Sequence, residues 1–290
     1  MDVFDLQSTN ERTILDLRSI GLKDLPVIGH YTYRRAAKGL SREVHQDHIE
    51  VTFLAKGVQI YEAEGQRTVL RGGDLYLTRP GERHSTAGQP EEKGEAFWIF
   101  LRQVGEKESF LGLKPTATKA LMEALKNGKR SARASASITT HLSEIYRLWP
   151  LVEKDPLSQS AVAARAELLA IELAYCFSND LSTDIAGPIS KALDLLRVEG
   201  NWDISLADLA HEANLSEARF KVRFKAEVGI PPGEYLIRRR IEKAKYWLRR
   251  SKHPIMKISG ELCFPTAQYF ATVFKRYTGM RPQDYRDNKK

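Results

Sequence analysis

The C-terminal part of the chain carries one motif twice, a 50-residue step apart. Arg219-Phe220-Lys221-Val222-Arg223-Phe224-Lys225 aligns with Tyr269-Phe270-Ala271-Thr272-Val273-Phe274-Lys275. The register runs on through Gly229 and Gly279, Pro232 and Pro282, and Tyr235 and Tyr285. A period of this size marks a duplicated supersecondary unit, and two copies are too few for a solenoid. Each copy reads as two helices around a tight break. In the first, Ser205 caps a helix whose Leu206, Leu209 and Ala210 form an apolar stripe. Asn214 tolerates the left-handed backbone of the turn, and Ser216 caps a second helix with Phe220 and Phe224 inward. Gly229 and Pro231-Pro232 end it. The second copy places Ile255, Ile258 and Leu262 before a turn at Cys263-Phe264-Pro265, with a second helix from about Thr266 to Gly279. Between the copies, residues 234–250 form a long basic helix with Tyr235, Leu236, Ile241, Ala244, Trp247 and Leu248 as its buried face. That helix sets the distance between the two units.

Charge follows the same division. Residues 188–290 hold 21 Lys and Arg against 12 Asp and Glu, whereas residues 1–187 hold 24 against 25. The excess of +8 on the whole chain therefore lies in the repeat region, which suits a polyanionic partner. A helix-turn-helix pair on such a segment points to double-stranded DNA, each second helix entering a major groove.

Residues from about 25 to 105 read as β-structure. His48 to Leu54 alternates and ends at Gly57, Val58 to Ala63 alternates and ends at Gly65, and Thr68 to Leu70 meets a turn at Gly72-Gly73-Asp74 before Leu75 to Leu77. Ala96 to Leu101 is apolar throughout, as expected of a strand covered on both faces. Short strands with glycine turns at this spacing make a sandwich or jelly-roll barrel. Helical periodicity then takes over at 116–126, 138–148 and 158–177. In the last of these, Val162, Leu169 and Leu173 form a seam of the kind that pairs helices, which predicts a homodimer. The polar stretch 181–187 reads as a linker. The opening MDVFDLQSTNERT lacks the plan of a secretion signal, and no stretch approaches the ~20 apolar residues of a membrane helix. Cys176 and Cys263, each read as a small buried residue, suggest no disulfide framework and a cytoplasmic setting.

The residues of the repeat resemble the DNA-binding domain of the AraC/XylS family of transcription regulators. The match runs through Leu206, Leu209-Ala210, Ser216, Phe220, Phe224-Lys225, Gly229, Pro232, Tyr235, Arg240 and Ala244. It continues in Ile258, Phe264, Tyr269-Phe270, Phe274-Lys275, Gly279, Pro282 and Tyr285-Arg286. Ser259 and Cys263 depart from the family pattern, which has Ala and Gly there. The β segment is similar to the cupin-type sensor domain of such regulators, through His45, His48, Glu50 and Gly57 and then Gly73-Asp74 leading to Pro80-Gly81-Glu82-Arg83-His84. The expected fold is α+β in two domains. Residues 1–115 form a cupin-like β-barrel, 116–180 a helical dimerisation extension, 181–187 the linker, and 188–290 an all-α DNA-binding domain with two helix-turn-helix units joined by a long helix.

These expectations name residues. Glu217, Ala218, Lys221 and Val222, with Ala267, Gln268, Ala271 and Thr272, are the base-reading candidates near the starts of the second helices. Lys225, Arg240, Lys275 and Arg276 are phosphate contacts or braces of the fold. Arg42, His48, Glu50, Tyr76, Arg79, His84 and Trp98 are the lining candidates for a small effector, a sugar or a small organic acid. No cofactor and no metal are expected: His45 could swing in from a loop, but on a strand its His-x-x-His spacing puts it on the opposite face from His48, where a metal pattern has His-x-His, and Ala96 to Leu101 lacks a further histidine. The resemblance implies a ligand-responsive activator, not an enzyme, with RNA polymerase as a partner. Two alternatives remain open at this level. One is a metal-dependent cupin enzyme, an isomerase or dioxygenase, with a nucleic-acid-binding tail; the other is a nucleoid protein without sequence preference.

Overall fold

The protein is described from a computed structural model covering residues 4–105, 107–178, 187–197, 200 and 202–288; most of the expected linker, 181–186, falls outside them. The chain divides into two compact units. One comprises residues 1–32, 40–89 and 95–182, the other residues 33–39, 90–94 and 183–290.

The first unit is built on strands β1 (Arg12–Asp16), β2 (Val27–Tyr33), β3 (His48–Lys56), β4 (Val58–Ala63), β5 (Gln66–Arg71), β6 (Asp74–Thr78), β7 (His84–Ser85), β8 (Gly94–Arg102) and β9 (Ser131–Arg133). They pair as a six-stranded sheet, β1-β2-β8-β3-β6-β9, and a three-stranded sheet, β5-β4-β7. Helices α1 (Pro115–Asn127), α2 (Ala136–Leu148) and α3 (Pro156–Ser178) follow. The alternation of β3 decides what each face does. Ile49, Val51 and Phe53 join Leu75 and Leu77 of β6 and Ile99 and Leu101 of β8 in one core with apolar residues of the three helices. His48, Glu50, Thr52 and Leu54 occupy the other face. The antiparallel register sets Thr78 and Phe100 beside Glu50, and Tyr76 and Trp98 beside Thr52. β4 alternates in the same way, with Gln59, Tyr61 and Ala63 buried. Tyr61 stacks on Tyr76 at 5.2 Å between ring centroids, joining the two sheets. The apolar run of β8 thus faces the helices on one side, while on the other Phe100 packs against Phe4 and His45 and Trp98 lies under Arg12.

Helix α3 corrects the expected pairing seam. Val162, Leu169 and Leu173 are completely buried within the chain, against a core shared with α1 and α2. α3 is apolar around most of its circumference, so periodicity alone does not tell its inner stripe from its outer one. The outward stripe is Leu157, Ala161, Ala164, Leu168 and Tyr175, with Leu157 80%, Leu168 46% and Tyr175 58% exposed; half-buried Ile171 stands at its edge, partly packed on the core.

The second unit contains α4 (Pro188–Arg197), α5 (Leu206–Glu212), α6 (Glu217–Val228), α7 (Pro232–Arg250), α8 (Ile255–Glu261), α9 (Ala267–Thr278) and α10 (Pro282–Asp287). Its caps follow from local chemistry. Ser205 accepts the Asp208 N–H at 3.1 Å while the Asp208 carboxylate accepts the Ser205 N–H at 2.9 Å, a closed capping box. Gly229 and Gly279 stand at φ 83° and 76°, ending α6 and α9 in the left-handed conformation before Pro232 and Pro282 start the next helices. Phe220, Phe224, Phe270 and Phe274 are fully buried core residues. α7 packs against α6, α8, α9 and α10, with Ile241, Ala244 and Leu248 inward.

The two copies are not offset uniformly. α5 and α8 begin 49 residues apart, α6 and α9 begin 50 apart. Asn214 at φ 52° therefore corresponds to Cys263 at φ 54°, and Pro265 is the extra residue in the second turn. Cys263 is exposed, contrary to the buried position expected of it, because the turn points it away from the core. Ser259 is buried and donates its hydroxyl to the Met256 carbonyl at 2.8 Å, which reconciles it with an apolar position. The left-handed conformation costs an L-residue such as cysteine about 1–2 kcal/mol, and glycine returns roughly 0.5–1 kcal/mol of that to the unfolded chain. Cys263→Gly is expected to stabilise the protein by about 0.5–1 kcal/mol in denaturant titration. A lower midpoint would show that the cysteine side chain supports the turn.

Candidate functional site

Two sites emerge, one in each unit. In the helical unit, the caps that start α6 and α9 fix their first turns. Ser216 accepts the Arg219 N–H at 3.4 Å, and Thr266 accepts the Tyr269 N–H at 3.0 Å. Glu217, Ala218, Lys221 and Val222 are all exposed, Val222 to 73% although it is apolar. On α9, Gln268 and Thr272 are exposed, and Ala267 and Ala271 are half-buried. The Thr272 hydroxyl already donates to the Gln268 carbonyl at 3.0 Å. The Lys221 ammonium lies 3.6 Å from the Glu217 carboxylate, so any contact it makes with a base edge competes with that partner. Lys225, Lys275 and Arg276 are exposed. Arg240 is not: its guanidinium donates to the Trp202 carbonyl at 3.0 and 2.5 Å and to the Cys263 carbonyl at 3.2 Å. Of its two expected roles, it stands as a brace between the segment ahead of α5 and the second turn. Much of the remaining charge on α7 is also committed. Arg239 lies 4.1 Å from the Trp202 ring centroid, and Arg249 4.7 Å from that of Tyr285. Sequence reasoning passed over Arg219, exposed on the same arc of α6, and Tyr269, 46% exposed on α9. The helical period that selected Lys221 and Val222 also selects them.

In the β unit, the inner face of the six-stranded sheet meets β7. The Glu50 carboxylate lies 2.9 Å from His84 Nε2 and 3.4 Å from His45 Nε2. Burial drives the Glu50 carboxyl up, but the imidazoles of His45 and His84 outweigh it and leave its pKa at about 2. Burial likewise lowers His84, yet Glu50 beside it brings the net shift upward. Glu43 is raised by burial and by the charge of Glu50. His45 is the main correction here. β3 starts only at His48, and the preceding residues are held by an isolated bridge between Glu43 and His84. The strand parity that set His45 and His48 on opposite faces does not apply, and His45 joins Glu50. His48 shares the face of Glu50 but packs against Phe4, ring centroids 5.0 Å apart.

Tyr76 is buried among these residues. Among the described residues its hydroxyl has no hydrogen-bond partner, and burial pushes its pKa up to about 12. Trp98 lies flat over β2, where a Cβ at Gly29 would fall 1.9 Å from its ring, and the Arg12 guanidinium is 4.8 Å from the ring centroid. Arg42 is exposed on the segment before β3. Arg79 does not face this interior. It stands three positions beyond Tyr76, on the opposite parity, and donates to the carbonyls of Lys126 and Gly128 at 2.6 and 2.5 Å. There it lines a groove of about 590 Å³ with Ile49, Met122 and Lys126, on the helix-covered side of the sheet. Gln59, Tyr61, Thr52 and Thr78 are inner-face residues that sequence reasoning left out; the alternation of β4 and the register of β3 with β6 would have found them.

A duplicated helix-turn-helix unit with exposed second helices and a β unit with a polar interior define a two-part, ligand-binding DNA regulator, and comparison with known proteins agrees. Residues 28–138 match the AraC-like ligand binding domain, and residues 209–288 match a helix-turn-helix domain. The chain belongs to the AraC family of transcription regulators. It is similar to the raffinose operon transcriptional regulatory protein RafR of Pediococcus pentosaceus, 22% identical over 245 residues, 83% of this chain and 85% of that one. It is 38% identical over 81 residues to the HTH-type transcriptional activator RhaR of Yersinia pseudotuberculosis, 28% of each chain. Among solved structures, ToxT from Vibrio cholerae O395 aligns over 89% of this chain and 95% of its own, at 13% identity and a TM-score of 0.34. The C-terminal domain of the response regulator yesN from Fusobacterium nucleatum aligns over 33% of this chain and 93% of its own, at 29% identity and a TM-score of 0.31. Among the described residues, no helix is long and apolar enough to cross a membrane.

Tyr76 yields a test of the interior. An unpaired buried hydroxyl costs about 1–3 kcal/mol, so Tyr76→Phe is expected to keep or raise the thermal midpoint of the protein without effector. A fall of several degrees would mean that the hydroxyl has a partner in solution.

Proposed function

We propose that this regulator responds to a small-molecule effector in the β unit and activates transcription at specific DNA sequences. The observation that carries the reading is the pair of exposed first turns on α6 and α9, set on one shared helix, α7. Two recognition helices on one chain suit two major grooves about 34 Å apart on one face of the duplex. In this reading Lys221 and Val222, with Glu217 and Ala218, read bases through α6; Gln268, with Ala267, Ala271 and Thr272, reads them through α9. Lys221 suits guanine, Gln268 adenine, and Val222 a thymine methyl group. Lys225, Lys275 and Arg276 hold phosphates, and Arg240 acts as a brace. Residues 1–115 are the sensor, 116–180 its helical extension, 181–187 the linker and 188–290 the DNA-binding domain. RNA polymerase is the partner in activation, the site of action is the cytoplasm, and the protein turns over no substrate.

The effector is a sugar or small organic acid. The Tyr76 hydroxyl, unpaired among the described residues, and Glu50, with the Trp98 ring on the same face of the sheet, supply the hydrogen-bonding and stacking groups such a ligand needs. A relative named for the raffinose operon adds weight to the sugar. His48 and His84 complete the lining, Arg42 stands at its rim, and Arg79 is dropped from it.

The protein acts as a homodimer, because a second tethered DNA-binding domain binds at high effective concentration. The outer stripe of α3, in place of the buried seam, provides the surface. Its spacing alternates fours and threes from Leu157 to Tyr175. In an antiparallel pair about its midpoint, Ala161 faces Ile171 and Ala164 faces Leu168, small against large. Leu168→Glu alters an exposed position, so the fold should survive while sedimentation shifts from dimer to monomer. A wild-type chain that sediments as a monomer at tens of micromolar would overturn the dimer.

The DNA reading is tested by two single substitutions in binding-site selection and salt titration. Lys221→Ala should lose about 1–3 kcal/mol of discrimination at one or two base pairs. Lys225→Ala should weaken all sequences alike and flatten the salt slope by about one unit. The same sequence profile for both would refute the division into readers and positioners. No preference among sites in the wild-type chain would favour the nucleoid alternative.

A further inference from the structure

We propose that Glu43, His45, Glu50 and His84 form a binding site for a divalent transition-metal ion, a property of the β unit that does not depend on DNA binding. The four residues come from three parts of the fold and are held together by backbone. Glu43 exchanges hydrogen bonds with His84, N–H to carbonyl, at 2.9 and 3.0 Å, and the Gly81 N–H donates to the His45 carbonyl at 2.7 Å. Glu50 is placed by β3, paired on both sides. The side chains then converge. One donor atom from each of Glu43, His45 and His84 lies within 4.8 Å of the others. Glu50 Oε2 sits 2.9 Å from His84 Nε2 and 3.4 Å from His45 Nε2.

Those two separations have a specific meaning. With metal bonds of about 2.1 Å, neighbouring ligand atoms in an octahedral or tetrahedral shell lie roughly 3.0–3.4 Å apart. Hydrogen bonding does not account for the arrangement. His45 Nε2, Glu50 Oε2 and His84 Nε2 are buried, and among the described residues none has a hydrogen-bond partner of acceptable geometry. Leaving several buried polar atoms unsatisfied is destabilising, and one cation at their meeting point would satisfy all of them. The charges agree: two carboxylates are set against two imidazoles, so the site is short of positive charge when the imidazoles are neutral. Two imidazole nitrogens with two carboxylates select Zn, Mn, Fe, Co or Ni over Mg and Ca, which take oxygen shells.

The test uses the full-length chain without a histidine tag, stripped with chelator and desalted, and titrated with Co²⁺ alone. Visible absorption should rise and saturate at one ion per chain, and Zn²⁺ should abolish it. Glu43→Gln changes an exposed residue and should bind about tenfold more weakly or worse with the fold intact by circular dichroism. His45→Gln combined with His84→Gln should bind no ion at the site. The proposal is overturned if the folded wild-type chain shows no saturable Co²⁺ signal at 100-fold excess over protein. It is also overturned if Glu43→Gln and the folded double variant both bind as the wild type does, which would put the ion elsewhere.

Discussion

Coverage of one face of a single sheet is the constraint on which the β unit depends. Ile49, Val51 and Phe53 of β3 sit in a core closed by α1, α2 and α3, each of these side chains at most 3% exposed. Burying apolar side chains of this size contributes about 1.5–3 kcal/mol each, before the entropy of ordering the chain is subtracted. Because strand side chains alternate strictly, that burial also fixes which residues turn the other way. Glu50, Thr52, Tyr76 and Trp98 face the interior because their neighbours are needed in the core. A polar interior, with clustered imidazoles and a tyrosine hydroxyl unpaired among the described residues, is thereby sustained by apolar packing on the reverse side.

In the helical unit, α7 has the corresponding position. Its Ile241, Ala244 and Leu248 belong to the core of the second helix-turn-helix, while Arg240 reaches the carbonyls of Trp202 and Cys263. The aromatic pairs are nearly superposable between copies. Phe220 to Phe224 and Phe270 to Phe274 stand at 5.3 and 5.5 Å, and each pair is closed by a tyrosine, Tyr235 or Tyr285, edge-on at 5.5 or 5.3 Å. Positive charge that composition alone assigns to DNA is partly spent inside this unit on aromatic faces and turn carbonyls, at Arg239, Arg240 and Arg249.

Much of this was legible in the residues. Capping serines, left-handed glycines and the doubled Phe-x-x-x-Phe-Lys motif act locally, so Ser205, Ser216, Gly229 and Gly279 declared the helices of the repeat. The alternation of β4 likewise identified its bounds, Val58 to Ala63. What failed was information that is not local. His45 was misplaced because a strand was carried back through residues that a bridge to β7 holds instead. Arg79 was grouped with Tyr76 although it stands three positions on, just past the end of β6, where its guanidinium turns to the carbonyls at the end of α1. The seam of α3 was misread because a helix apolar on two sides has two candidate stripes, and only the tertiary packing tells which is spent. β1, β9, α4 and α10 gave no distinct signal, being short or weakly patterned.

The extra residue in the second turn separates two units that otherwise look interchangeable. Pro265 precedes the cap of α9, where the first copy passes directly from Leu215 to Ser216. Proline restricts both its own φ and the conformation of Phe264 immediately before it. Each recognition helix is thus tied to its own hinge. An exchange of α6 for α9 that copied only the helices would keep its register from cap to closing glycine but would leave each helix on the other copy's turn. Modular redesign of such a regulator therefore has to take the turn as part of the module.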